Sequence, residues 1–153
     1  MAVQPIPDGY HSVTPYLTVH DAVGAIEFYK QALGAVELLR MPGPDGKIGH
    51  AEIRIGNSIL MLADESPAMG ARSARTFGGS PVSLMVYVED VDARVAQAVA
   101  AGATLVRPVA DQFYGDRTGG VDDPYGLHWY LATHVEDVPP DELEKRAAKA
   151  MGT

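Results

Sequence analysis

From His50 onward the chain alternates strictly, with His50, Glu52 and Arg54 polar and Ala51, Ile53 and Ile55 apolar. A two-residue period sends successive side chains to opposite faces, so this stretch predicts a half-buried strand. Gly56-Asn57 turns the chain, and Ser58–Ala63 returns as an apolar strand. Upstream, Ala22, Ile26, Tyr29 and Leu33 recur at the helical period. Asp21 is placed to cap that helix and Gly34 to stop it. Val13–Val19 and Val36–Met41 read as strands on either side, and Pro42–Gly46 is a turn-rich connection. The second half runs in the same order. Strand Val82–Val88 is followed by helix Val91–Ala101 and strand Thr104–Val109. A polar strand around Gly115–Val121, the turn Asp122–Gly126 and strand Leu127–Thr133 complete it.

The two halves are copies. Asp21 matches Asp90 at an offset of 69, Gly34 matches Gly102 at 68, and Met61-Leu-Ala63 matches Tyr130-Leu-Ala132 at 69. Such a repeat predicts two similar units related by a pseudo-two-fold axis. The fold expected is α+β: two βαβββ modules forming a curved, partly closed mixed sheet around a cleft, with helices on the convex side. Module one covers 10–64 and module two 82–135. Residues 65–81, with no clear period, are a linker or a flap, and 136–153 form a tail with Leu143, Ala147 and Met151 on one helical stripe. A cleft between the modules is the natural ligand site.

Composition narrows the partners. Twelve Lys and Arg against 20 Asp and Glu give a net charge of −8, so no basic stripe is available for nucleic acid. The absence of cysteine excludes disulfides, thiolate catalysis and cysteine-based metal sites. No apolar run approaches membrane-spanning length and the first residues lack a signal pattern, so a cytoplasmic protein is expected.

Three segments carry a family resemblance: Asp21…Glu27-Phe-Tyr…Leu33-Gly34, Val88-Glu-Asp-Val-Asp92…Ala101-Gly102, and Asp123-Pro-Tyr-Gly-Leu-His-Trp129. Together they resemble the vicinal oxygen chelate superfamily, which includes glyoxalase I, bleomycin-resistance proteins and extradiol dioxygenases. Thr14-Pro-Tyr-Leu17, Gly49–Gly56 and Tyr114-Gly-Asp-Arg117 resemble its PhnB-like group. The resemblance implies a homodimer, with modules paired within or across chains. It also implies metal ligands from the first and last strand of each module, positions that fall here on Thr14, Met61, Ser83 and Tyr130. None is His, Asp or Glu, so no metal site and no cofactor are expected there.

Strand parity selects the candidate site. His50, Glu52 and Arg54 face the cleft if Ala51, Ile53 and Ile55 pack on the helix. Tyr16, Met61, Met85, Tyr87, His128 and Tyr130 join them as an aromatic and sulfur-bearing lining. Thr18 and Ile59 share that parity, while Trp129 belongs to the core. His11, His20 and His134 read as solvated or capping, and Asp116 and Arg117 pair with each other or reach the pocket. The reading that follows is a protein that binds or sequesters a small aromatic or amphipathic molecule. The alternative is a lyase, isomerase or hydrolase with His50 and Glu52 as catalytic residues, with or without a displaced divalent metal between them. A third reading is a scaffold whose cleft is plugged by its own side chains.

Overall fold

The computed structural model describes residues 2–152. In chain order the elements are β1 (Tyr16–Val19), α1 (Ala22–Leu33), β2 (Val36–Pro42), β3 (Ile48–Ile55) and β4 (Ser58–Asp64). A 3₁₀ turn at Pro67–Met69 and the short α2 (Ala74–Phe77) lead into β5 (Ser83–Tyr87), α3 (Val91–Ala101), β6 (Thr104–Asp111), β7 (Asp116–Asp122) and β8 (His128–His134). Helix α4 (Pro140–Ala150) closes the chain's ordered elements. Both modules are therefore βαβββ. β1 begins at Tyr16 rather than Val13, because Pro15 has no amide to donate to a ladder; only its carbonyl is used, by Met61 N at 2.9 Å.

Each module makes a four-stranded mixed sheet, β1-β4-β3-β2 and β5-β8-β7-β6, with β1/β4 and β5/β8 parallel and the other pairs antiparallel. The repeat extends to the way the helices start. Asp21 accepts from Gly24 N and Asp90 from Ala93 N, both at 3.0 Å. The first helical amide is then taken from the end of the sheet: Ala22 N by Asp64 at 2.9 Å and Val91 N by Thr133 at 3.0 Å. Asp64 and Thr133 are again 69 apart, so two orphan donors per helix are satisfied by equivalent positions.

One continuous core holds both modules. It contains the helix-facing residues of sheet one (Ala51, Ile53, Leu60, Leu62) and of sheet two (Val121, Trp129, Leu131), and α1 packs directly on α3. Within it, the Asp123 carboxylate is buried and accepts four hydrogen bonds. Two come from Tyr125 N and Leu127 N at 2.8 and 2.9 Å, and two from Tyr29 Oη and Trp129 Nε1 at 2.6 and 2.8 Å. Because Tyr29 belongs to module one, this carboxylate ties the modules together.

That shared core corrects the expected partly closed sheet. The helix-covered face of each sheet turns inward to it, and the opposite faces, with the predicted site residues, turn outward. The sheets stay separate, with no strand of one hydrogen-bonded to a strand of the other among the described residues. The linker is held at the module junction. Glu65 accepts from Ser73 N (2.9 Å) and Thr76 Oγ1 (2.7 Å), bonds that pull its carboxyl down to about 2. Ser73 caps α2, and Gly126 leaves room for Ala74 to lie against the Asp123–Gly126 turn. The tail helix docks through Arg146, which donates to both oxygens of Glu136 (2.8 and 2.9 Å) and to the Phe113 carbonyl (3.2 Å).

Candidate functional site

The outer face of sheet one is built by the alternation of β3 and its register with its neighbours. Met61 of β4 lies opposite both Glu52 and Tyr16. Tyr16 Oη hydrogen-bonds His50 Nδ1 at 2.8 Å, and His50 Nε2 stands 3.6 Å from Glu52 Oε1. Tyr10 Oη donates to the same Glu52 oxygen, and this bond pushes the phenol up to about 12. Tyr10 arrives there because Pro7-Asp8-Gly9 makes a turn: Tyr10 N bonds Pro7 O at 3.1 Å and Gly9 sits at φ 82°. The segment before β1 has no strand or helix period, so sequence reasoning missed Tyr10. Arg54 points the same way as Glu52 but is exposed and has no partner among the described residues.

The outer face of sheet two carries the second group. Met85 lies opposite Tyr130, and Ser83 opposite His128. Asp122 Oδ1 holds His128 Nδ1 at 2.7 Å, and the imidazole meets the Tyr130 ring edge-on, with centroids 4.5 Å apart. Gly120 makes this fit, since a Cβ there would lie 3.1 Å from His128 Cε1. His128 Nε2 is buried without a partner. The Arg107 guanidinium lies 5.9 Å from the Tyr130 ring centroid, within reach of a cation–π attraction. Asp122 and Arg107 were not read from the sequence; Asp122 looked like a turn residue, and the register shifts in β6 hide the parity of Arg107.

Asp116 and Arg117 do not pair with each other. Strand parity separates them: Arg117 grips Asp92 of α3 at 2.7 and 2.9 Å on the helix side and Asp111 at 3.1 Å. Asp116 is buried on the outer face, where it accepts from Tyr87 Oη (2.8 Å) and pairs with His134 Nδ1 (2.7 Å). His134 Nε2 reaches Asp137 at 2.8 Å. Asp116 first, and Asp137 second, raise the His134 imidazole above its ordinary 6.5. A group raised in this way stabilises the fold fully below the unfolded pKa and loses that contribution as pH rises through the folded one. From about pH 6.5 upward, wild-type melting temperature should therefore fall relative to His134→Gln. Parallel melting-temperature curves for the two proteins would show that His134 is not held as a cation.

The predicted residues thus form two groups. Tyr16, His50, Glu52 and Met61 share one sheet face, while Met85, Tyr87, His128 and Tyr130 share another. A groove of about 1330 Å³ does lie between the modules, beside β5 and the β3–β4 turn. Of the predicted residues it takes only Arg54, Met85 and Tyr87. Metal donors are poor on both faces. Thr14, Met61, Ser83 and Tyr130 offer hydroxyls and a thioether, and His50 with Glu52 gives only two donors, with Nδ1 already engaged by Tyr16. No group of three or more His, Asp or Glu is arranged to hold a metal ion among the described residues.

Comparison with known proteins points one way. The family model described as Glyoxalase/Bleomycin resistance protein/Dioxygenase superfamily matches residues 9–131. A Mycobacterium bovis protein is 46% identical over 136 residues, covering 87% of this chain and 90% of its own length. The X-ray structure of an Arabidopsis thaliana gene product is 30% identical with a TM-score of 0.67, covering 80% of this chain and 98% of that one. The crystal structure of TioX from Micromonospora sp. ML1 is 29% identical with a TM-score of 0.65, over 82% of this chain and 99% of the other.

Proposed function

We propose that this chain, which belongs to the glyoxalase/bleomycin resistance protein/dioxygenase superfamily, is a homodimeric binding protein for a small aromatic or amphipathic molecule. One observation supports the reading: the candidate residues are divided between two separate sheets, Tyr16, His50, Glu52 and Met61 on one and Met85, Tyr87, His128 and Tyr130 on the other. Tyr16 is 51% exposed on one face, and Met85 and Tyr87 are 44% and 61% exposed on the other. Exposed apolar side chains that cluster in one patch mark ligand or partner surfaces, whereas scattered ones do not. When sheet one of one copy faces sheet two of its partner, both groups line a single cleft. Tyr16, Tyr87, Tyr130, Met61 and Met85 then supply area for a flat molecule, and His50, Glu52, Arg54 and His128 orient it. No helix among the described residues is long and apolar enough to cross a membrane, and residence in the cytoplasm is part of this reading.

A thermal-shift screen of aromatic natural products tests it, because a ligand at a hundred times its Kd adds about 2.7 kcal/mol of stability. Tyr130→Ala should weaken any hit by about 1–3 kcal/mol through lost stacking area while the fold stays intact. A hit whose affinity ignores that change would place the ligand elsewhere. The Tyr16–His50 hydrogen bond at 2.8 Å and the approach of His50 to Glu52 at 3.6 Å favour a second reading, in which Glu52 is a base and His50 tunes it. Turnover abolished by Glu52→Gln, with binding retained, would select that reading.

A further inference from the structure

Residues 5–14 do more than lead into β1. They cross the outer face of sheet one and enclose a recess of about 530 Å³ against it. Pro5, Ile6, Pro7 and Met61 give it apolar surface, and Tyr10, His11, Ser12, Thr14 and Glu52 give it polar groups. All of these residues come from one chain.

Its chemistry is lopsided. The prolines carry no amide hydrogen and Ile6 and Met61 are apolar, so the walls neither donate nor accept at those side chains. The one anionic group is Glu52, whose side chain is 18% exposed. Its two oxygens are used unequally. Oε1 takes the Tyr10 hydroxyl and lies 3.6 Å from His50 Nε2. Oε2 has no hydrogen bond or ion pair among the described residues, yet it is not among the atoms sealed from solvent. No lysine or arginine pairs with this carboxylate, although Arg54 stands two residues along the same face of the strand. A part-buried carboxylate is costly unless a charged donor meets it. Here the fold positions one oxygen through Tyr10 and leaves the other without a protein partner, on a side chain that lines the recess.

We propose that this recess binds an organic ammonium group on an apolar body, with the N⁺–H donated to Glu52 Oε2 and the body against Pro5, Ile6 and Met61. The assignment rests on the binding function proposed above, and it fixes the ligand's charge and the end of the cleft that holds it. Tyr10 is a positioning residue: it holds Oε1 and so aims Oε2.

The test compares 4-phenylbutylamine with 4-phenylbutan-1-ol, which share a body and differ in charge, by calorimetry and methyl NMR. Because only the ammonium adds opposite-charge attraction to its hydrogen bond with the carboxylate, the amine should bind wild type roughly tenfold tighter than the alcohol. Glu52→Gln should erase that preference, and the Ile6 and Met61 methyl resonances should move with the amine. Equal affinities for the two probes, a preference that survives Glu52→Gln, or no binding of either at millimolar concentration would overturn the assignment. Tyr130→Ala separates this site from the wider reading. An aromatic ligand weakened by Tyr130→Ala and indifferent to Glu52→Gln would keep the shared cleft and remove the ammonium recess.

Discussion

Asp123→Ala is expected to be the most damaging single substitution in the core, costing about 4 kcal/mol. The carboxylate is buried and accepts from four donors, two of them backbone amides of its own turn. Removing it strands those amides together with the Tyr29 hydroxyl and the Trp129 indole, each a buried donor that folding has already taken from water. The Tyr29 phenol reports the same environment, since burial foremost, with the Asp123 charge adding, pushes it well above its ordinary value. Asp123→Asn keeps one acceptor oxygen and should lose about half as much. Urea unfolding followed by tryptophan fluorescence reads the effect directly, because Trp129 is the single tryptophan and contacts the substituted atom. A midpoint within experimental scatter of wild type would mean that this carboxylate does not join the modules.

The contrast between Asp123 and His50 explains what the sequence made legible. His50, Glu52 and Arg54 were assigned to one face because alternation is a local signal, fixed by the pleat of a single strand. Helix ends were equally local: Asp21 and Asp90 cap as expected, and Gly34 takes the left-handed conformation at φ 67°. Asp123 stands in a visible motif, but two of its four partners come from other parts of the fold, one of them 94 residues away. No periodicity encodes that meeting. Module orientation was hidden for the same reason. Parity says which side of a strand is apolar and is silent on whether two half-apolar sheets turn their helices together or apart. Here Tyr29 and Phe28 of α1 meet Tyr125 and, through Tyr29, Trp129 of module two, and that aromatic contact puts the helices inside. Tyr10 was out of reach because its approach depends on a turn at Gly9, not on a repeat.

The same orientation leads to the second large effect. With both helices committed to the internal core, the outer faces and the edge strands of each sheet are open, and the dimer proposed above would cover the β1 and β5 sides. Met85 and Tyr16 are equivalent under the 69-residue repeat, so a two-fold pairing of chains brings their two surfaces together in both copies of the cleft. A carboxylate at Met85 would be buried twice per dimer with no cation assigned to it, a cost of several kcal/mol for each copy. Light scattering on wild type at micromolar concentration should therefore give twice the 16.3 kDa chain mass, and Met85→Asp should give the chain mass itself. Val99→Asp is the matched control, since Val99 is 41% exposed on α3, away from either outer face, and should leave the mass unchanged. The Met85→Asp monomer also divides the two ligand claims. Aromatic ligands that need the shared cleft should lose affinity together with Tyr130→Ala. The amine should still find Glu52 beneath the arm, because the residues lining that recess come from one chain. A wild-type protein that scatters as a single chain would remove the shared cleft, and the exposed Tyr16, Met85 and Tyr87 would then need a different partner.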